Sequence, residues 1–246
     1  MAFFNGPRVV TDGLILHYDF SDSNSYMSGS STVLDLTGNG YNGTITGTYS
    51  YSTKYNGSIR LNTSASSNGG ITISNFQSVS NALGGSFNFT FFGAIEREFY
   101  GVGNVSGLSY IFRGAGNGFS TGYRIVLGGG TPGAAVTDSP IFLSYTNSNT
   151  GTSPEGLDNP NASNKMIFGI SRISTNGSSF VNGTVYTGSL SDNYVSSLAT
   201  NPVIGYASFG VGSFIGLMPF FLVYNRGLSI QEMNQNYNAL RHRMNL

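Results

Sequence analysis

Glu96 and Glu98 are separated by a single residue, so on a strand they share one face. That is the spacing paired carboxylates need when one attacks a sugar carbon and the other protonates the leaving group, about 5 to 5.5 Å apart in a retaining glycosidase. Arg97 between them supports a competing reading, an exposed strand end of mixed charge, and no catalytic residue is assigned on this spacing. His17 and His242 are the only histidines and lie too far apart in sequence to form a motif. There is no His-Glu-x-x-His segment and no Gly-x-Ser-x-Gly elbow, and Gly128-Gly129-Gly130 lacks the lysine and following helix of a phosphate loop. Transition-metal and nucleotide chemistry are therefore not expected.

Two further sets of residues could bind rather than react. Tyr110, Arg113, Tyr123, Arg124, Tyr145 and Asn147 combine aromatic faces, guanidinium groups and an amide, the mixture that a glycan site uses. Their alternative role is amphipathic packing with a polar tip at the surface. Asp19, Asp22, Asp35 and Asn39 could supply hard oxygen ligands to Ca2+ if their loops converge. The commoner job of such residues is to hold turns through side-chain to backbone hydrogen bonds. Apart from that calcium candidate, no cofactor is expected.

The elements that must position these groups are short apolar runs broken by Gly, Asn and Ser, the pattern of antiparallel strands that each bury one face and then reverse. On the first strand, Leu14, Leu16, Tyr18 and Phe20 are expected on one face, with Ile15, His17 and Asp19 on the other. Further strands are predicted at Thr44 to Thr48, Ser58 to Leu61, Gly70 to Ile73, Asn88 to Ile95, Ser109 to Arg113, Tyr123 to Leu127, Ile141 to Tyr145 and Met166 to Ser171. Asn182-Gly183 between Phe180-Val181 and Thr184-Val185 is the strongest hairpin signal. Thr146 to Asn164 has little to bury and reads as a long exposed loop. The one helix expected covers 229–244, with Ser229 as N-cap, Glu232 completing a capping box and Ile230, Met233, Tyr237 and Leu240 on the packing face. Arg241 and Arg243 fall at its negative end.

Residues 1–246 read as one domain, with 1–12 as an N-terminal arm. Eleven basic and eleven acidic residues balance, and no Lys/Arg cluster could track a phosphate backbone, so nucleic acid is not an expected partner. Only 9% of residues are charged, against about 25% in an ordinary domain, which leaves Ser, Thr, Asn and Gly to solvate the surface. Cysteine is absent, excluding disulfides and thiolate metal sites. No apolar run approaches the length of a membrane span, and the first residues lack the pattern of a secretory signal. Arrival outside a cell is then expected through assembly into a particle and release by lysis.

Asp19 on the opening strand, the Asp35 to Gly40 segment DLTGNG, and a closing block with Ile204-Gly205, Gly216 and Tyr224-Asn225-Arg226 before a short helix resemble the concanavalin A-like lectin/glucanase superfamily, in its laminin-G-like branch. The resemblance implies an all-β antiparallel sandwich, a jelly roll with a short C-terminal helix. Glucanases of that superfamily carry an acidic cluster resembling Glu-x-Asp-x-x-Glu, from which Glu96-Arg97-Glu98 departs in having no central Asp and no third acid. The start MAFFNGPRVVTDGLIL further resembles marine, cyanophage-like tailed-phage virion proteins. That implies a non-enzymatic structural role on the virion, as a capsid decoration or fibre-like subunit. Other capsid or tail proteins, further copies of the chain and host surface glycans are the implied partners. A lectin module or tail-fibre adhesin is the alternative, with a glycoside hydrolase behind it.

Overall fold

The computed structural model describes residues 7–62, 69–76, 88–98, 108–115, 122–129, 141–148, 155–159, 163–189, 201–205 and 213–246. Two antiparallel sheets hold the described strands. The first contains β1 (Leu14–Asp19), β4 (Tyr49–Ser52), β5 (Ser58–Leu61), β7 (Asn88–Arg97), β12 (Lys165–Ile173), β13 (Asn176–Val181), β14 (Thr184–Ser189) and β16 (Gly216–Tyr224). Its order is β14-β13-β12-β7-β16-β5-β4, with β1 also paired to β16. The second contains β2 (Thr32–Val33), β3 (Gly43–Thr46), β6 (Gly70–Ile73), β8 (Leu108–Ala115), β9 (Gly122–Gly129), β10 (Ile141–Ser148), β11 (Glu155–Asn159) and β15 (Val203–Ile204), in the order β11-β10-β9-β8-β15-β6-β3-β2. Both sheets mix hairpin neighbours with pairs distant in sequence, such as β7-β16 in the first and β8-β15 and β15-β6 in the second, as expected of a sandwich whose chain crosses between layers. The all-β expectation holds.

Phenylalanines fill the space between the sheets. Phe91 on β7 and Phe221 on β16 meet Phe112 on β8, with ring centroids 4.6 Å (Phe91 to Phe112) and 5.6 Å (Phe112 to Phe221) apart. All three rings are buried, so with no tryptophan in the chain they provide the aromatic mass at the centre. The outer face of the first sheet is also covered: Phe92, Ala94, Ile167, Leu217, Phe220, Leu222 and Tyr224 form a second buried cluster with Met233 and Met244 of the C-terminal helix. Burial on both faces explains why β16 is almost wholly apolar. Pro219 in that central strand sits where the pairing to β7 shifts register, and its carbonyl accepts from the Phe20 amide at 3.0 Å. A strand interior tolerates the missing N–H at such an irregularity.

The expected faces of β1 are corrected at its start. A register shift between Leu14 and Leu16 moves Leu14 onto the outer cluster, while Ile15 packs against the inner core beside Leu16, Tyr18 and Phe20. The expected long loop from Thr146 to Asn164 is corrected too. Strand β10 continues to Ser148, and β11 pairs with it from Leu143↔Asn159 to Asn147↔Glu155. Polar composition misled there because a strand can be held by its backbone ladder with few apolar side chains.

Helix α1 (Ile230–Met244) begins at the expected cap: the Glu232 amide donates to Ser229 Oγ at 3.2 Å and the Ser229 amide donates to Glu232 Oε2 at 2.8 Å. Its buried residues are Met233, Asn236, Arg243 and Met244, with Tyr237 and Leu240 partly buried. Ile230, expected on that face, is 41% exposed at the first turn. Asn236 closes a buried three-way network. Val10 N donates to Asn236 Oδ1 at 2.7 Å, Asn236 Nδ2 to the Tyr224 hydroxyl at 2.9 Å, and that hydroxyl to the Val10 carbonyl at 3.0 Å. The N-terminal arm, β16 and the helix are thereby joined.

Arg226 Nη2 donates to Glu232 Oε1 at 2.6 Å and Nη1 to Oε2 at 3.1 Å. That fork, with the cap bonds, pulls the Glu232 carboxyl down from 4.5 to about 2. A depressed carboxyl stabilises the fold above its unfolded value and loses that contribution as pH falls towards the folded value. Glu232→Gln is accordingly expected to lower stability at neutral pH, and its deficit should shrink as pH falls from 4.5 towards about 2. Urea midpoints of both proteins at neutral and acid pH measure this; a deficit independent of pH would show that the pair does not couple to folding.

Candidate functional site

The structure gives each of the paired glutamates its own cation. Lys54 Nζ contacts both Glu96 carboxylate oxygens, at 2.8 and 2.5 Å, while Arg60 Nη2 meets Glu98 Oε1 at 2.7 Å. Tyr55 is buried against this group; burial first, and the neighbouring Glu96 carboxylate second, push the phenol well above its ordinary value. Strand β7 ends at Arg97, leaving Glu98 beyond it with its amide bonded to the Ile215 carbonyl at 3.1 Å. The two acids are thus divided between separate ion pairs.

The candidate cation ligands are occupied by local hydrogen bonds. Asp35 Oδ1 accepts from the amides of His17 at 3.0 Å and Thr37 at 3.1 Å, and its Oδ2 from the Thr37 hydroxyl at 2.7 Å. Asn39 Nδ2 donates to the Ile15 carbonyl at 3.0 Å and Asp22 Oδ1 accepts from the Asn24 amide at 2.8 Å. Asp19 Oδ1 takes the Ser21 amide at 2.9 Å, while its Oδ2 pairs with Arg243 Nη1 at 2.8 Å. Arg243 lies in the last turn of α1 as expected, and there it is 92% shielded and holds that turn to β1. Burial pushes the neighbouring His17 imidazole below its ordinary value, an effect partly offset by Asp19 and Asp35. Among the described residues no group of three or more His, Cys, Asp or Glu side chains is placed to hold a metal. A chelator is therefore expected to leave the melting temperature unchanged. Loss of a site saturated at 100 times its Kd would remove about 2.7 kcal/mol, a shift that calorimetry detects readily.

The six glycan candidates fall on three adjacent strands of the second sheet, and their backbone register divides them. Arg113 on β8 is opposite Arg124 on β9, which is opposite Thr146 on β10. Tyr123 faces Gly114 and Asn147, Tyr145 faces Ile125, and Tyr110 faces Val126. In that register 123 and 147 form one pair and 113 and 124 another, while 145 is opposite the core residue Ile125. Arg113 is buried at 9% exposure. The side chains of Tyr110, Tyr123, Arg124, Tyr145 and Asn147 lie outside the described residues.

Two features carried no sequence signal that singled them out. Asn62, fully buried at the end of β5 with φ +61°, accepts the Gly69 amide at 2.6 Å and donates to the carbonyls of Gly69, Phe214 and Gly205 at 2.8, 2.9 and 3.3 Å. It joins three chain segments at one end of the sandwich. The second is a depression of about 360 Å³ in the connection from β1 to β2, with Ser23, Ser25, Ser28, Ser30 and Thr32 around it and Met27 and Leu34 projecting into solvent. A run of small hydroxyl residues, SDSNSYMSGSST, was the only hint of it.

No family model matches the chain, and no curated protein sequence does. Among solved structures it is similar to domain 4 of AbnA, a GH43 extracellular arabinanase from Geobacillus stearothermophilus, determined in complex with arabinotriose. That match has 18% identity and a TM-score of 0.59, covering 91% of this chain and 97% of the domain. It is also similar to the binding domain of botulinum neurotoxin DC, determined with rat synaptotagmin II (16% identity, TM-score 0.63) and with SialylT (15%, 0.63). Each of those two matches covers 93% of this chain and 52% of the neurotoxin chain, so the protein spans about half the length of those binding domains. At these identities the likeness establishes the β-sandwich fold.

Proposed function

We propose that this chain is a non-catalytic carbohydrate-recognition module carried in many copies on a tailed-phage particle, as a capsid decoration or fibre-like subunit. The observation that carries the reading is the commitment of Glu96 and Glu98 to separate ion pairs, on a sandwich whose likeness to an arabinotriose-bound domain covers 91% of this chain and 97% of that domain. Neutral hydroxyls and amides dominate the surface chemistry, and they satisfy sugar hydroxyls without the cost of burying charge. The particle-borne location draws support from the opening residues MAFFNGPRVVTDGLIL, and many copies would turn a shallow site of low affinity into firm attachment.

A glycan array probed with a multimerised form of the protein is expected to give saturable binding; a blank array rejects carbohydrate recognition. Cryo-electron microscopy of the source particles is expected to place copies at symmetry-related positions, whereas a protein found only free of particles rejects the location. Neither the wild-type protein nor Glu96→Gln or Glu98→Gln is expected to release reducing ends from polysaccharides. Hydrolysis by the wild type that disappears in either variant would establish an enzyme.

A further inference from the structure

Met27 and Leu34 are 70% and 46% exposed, unusually open for large apolar side chains, and both border the depression between β1 and β2. Its volume of about 360 Å³ falls in the range of about 300 to 1,000 Å³ found for small-molecule sites. Hydrogen bonds brace the frame around it. Ser25 Oγ accepts from the Asp19 amide at 3.1 Å and donates to the Leu34 carbonyl at 2.8 Å, and the Leu34 amide returns to the Ser25 carbonyl at 2.7 Å. Ser30 Oγ bridges the amide and carbonyl of Thr32, at 2.9 and 3.0 Å. Beneath the connection, the buried Tyr26 ring packs edge-on to Phe20 at 5.5 Å and stacks on Tyr51 at 6.0 Å.

Against those committed hydroxyls, the side chains of Ser23, Ser28 and Thr32 have no hydrogen-bond partner among the described residues, and the lining contains no charged side chain. Donors and acceptors of hydroxyl type beside two aliphatic surfaces match a pyranose or furanose ring, which has hydroxyls at its edge and C–H groups on its face. Nothing in the lining would hold an anionic ligand: it contains no basic side chain, and Arg243 is committed to Asp19. From this geometry we infer that the depression is a subsite for a neutral saccharide unit, with Met27 and Leu34 against the ring and Ser23, Ser28 and Thr32 bonding its hydroxyls. The assignment rests on the carbohydrate-recognition reading and gives it a place on the chain.

The test uses the full chain on an array of neutral arabino-, gluco-, galacto- and manno-oligosaccharides with sialylated and sulfated counterparts, followed by titration of the strongest binder. Met27→Asp and Thr32→Ala alter exposed positions, and melting curves verify that both fold. Each is expected to weaken binding by about tenfold or more, while Tyr186→Ala, an exposed change on β14, leaves it unchanged. Binding by the wild type that both pocket variants retain would overturn the subsite and leave the wider reading standing. Binding confined to sialylated or sulfated glycans would overturn the neutral assignment, and no binding to any glycan would overturn both.

Discussion

Gly216→Ala is expected to destabilise the protein by about 3 to 5 kcal/mol, a large share of the roughly 5 to 15 kcal/mol that holds an ordinary domain folded. Gly216 opens β16 opposite Leu61 on β5 and Arg97 on β7, at φ +157°. A Cβ placed there would lie 2.1 Å from the Glu96 carbonyl oxygen and 3.0 Å from Arg97 Cα. The obstacle is the backbone of a central strand, so no side-chain rotation relieves it, and separating the strands would expose the core around Phe214 and Leu61. Chemical denaturation measures the loss. A change below about 1 kcal/mol would mean that the β7 to β16 pairing yields locally at little cost.

Asn62→Ala is expected to cost about 4 kcal/mol. Truncation removes the partner of the Gly69 amide and a donor to the carbonyls of Gly69, Phe214 and Gly205, the last of which keeps the Phe214 amide at 3.0 Å, and each buried group left unpaired costs about 1 to 3 kcal/mol where water cannot replace the bond. Alanine also accepts φ +61° less readily than asparagine. Asn62→Asp is the sharper comparison. It keeps the shape and the acceptor for Gly69 N, but sets carboxylate oxygen against the carbonyls of Gly69, Phe214 and Gly205. Damage equal to that of alanine would show that donation to those carbonyls is what matters. If Asn62→Asp is tolerated, the acceptor role alone holds the three segments and the account of Asn62 given above fails.

What could be read in advance follows from the range of each interaction. Alternation and turn chemistry act over a few residues, and they placed β7, β12 and the hairpin at Asn182-Gly183, whose φ values of +48° and +92° suit its tight reversal. The capping box of α1 is equally local. The register shift that exchanges Leu14 and Ile15 left no mark in composition, because slipping by one position leaves the same apolar residues in the same order. Strand β11 was missed since backbone pairing, not an apolar face, holds its place beside β10. For the candidate site, residue types identified carboxylates, amides and hydroxyls, but their partners were out of reach. Asp19 meets Arg243 across 224 positions of sequence, Glu96 meets Lys54 across 42, and these pairings decide whether an acid is available for chemistry.

The pairing of β1 with β16 also sets how the molecule carries mechanical load. Leu14, where the chain enters β1, is opposite Tyr224, where it leaves β16. Tension applied between the two ends of the chain would first strip α1 and the arm from the outer face, then open this ladder from one end, breaking its bonds in succession instead of loading them together. Such a geometry yields at low force. A copy anchored through one end alone leaves that ladder unloaded.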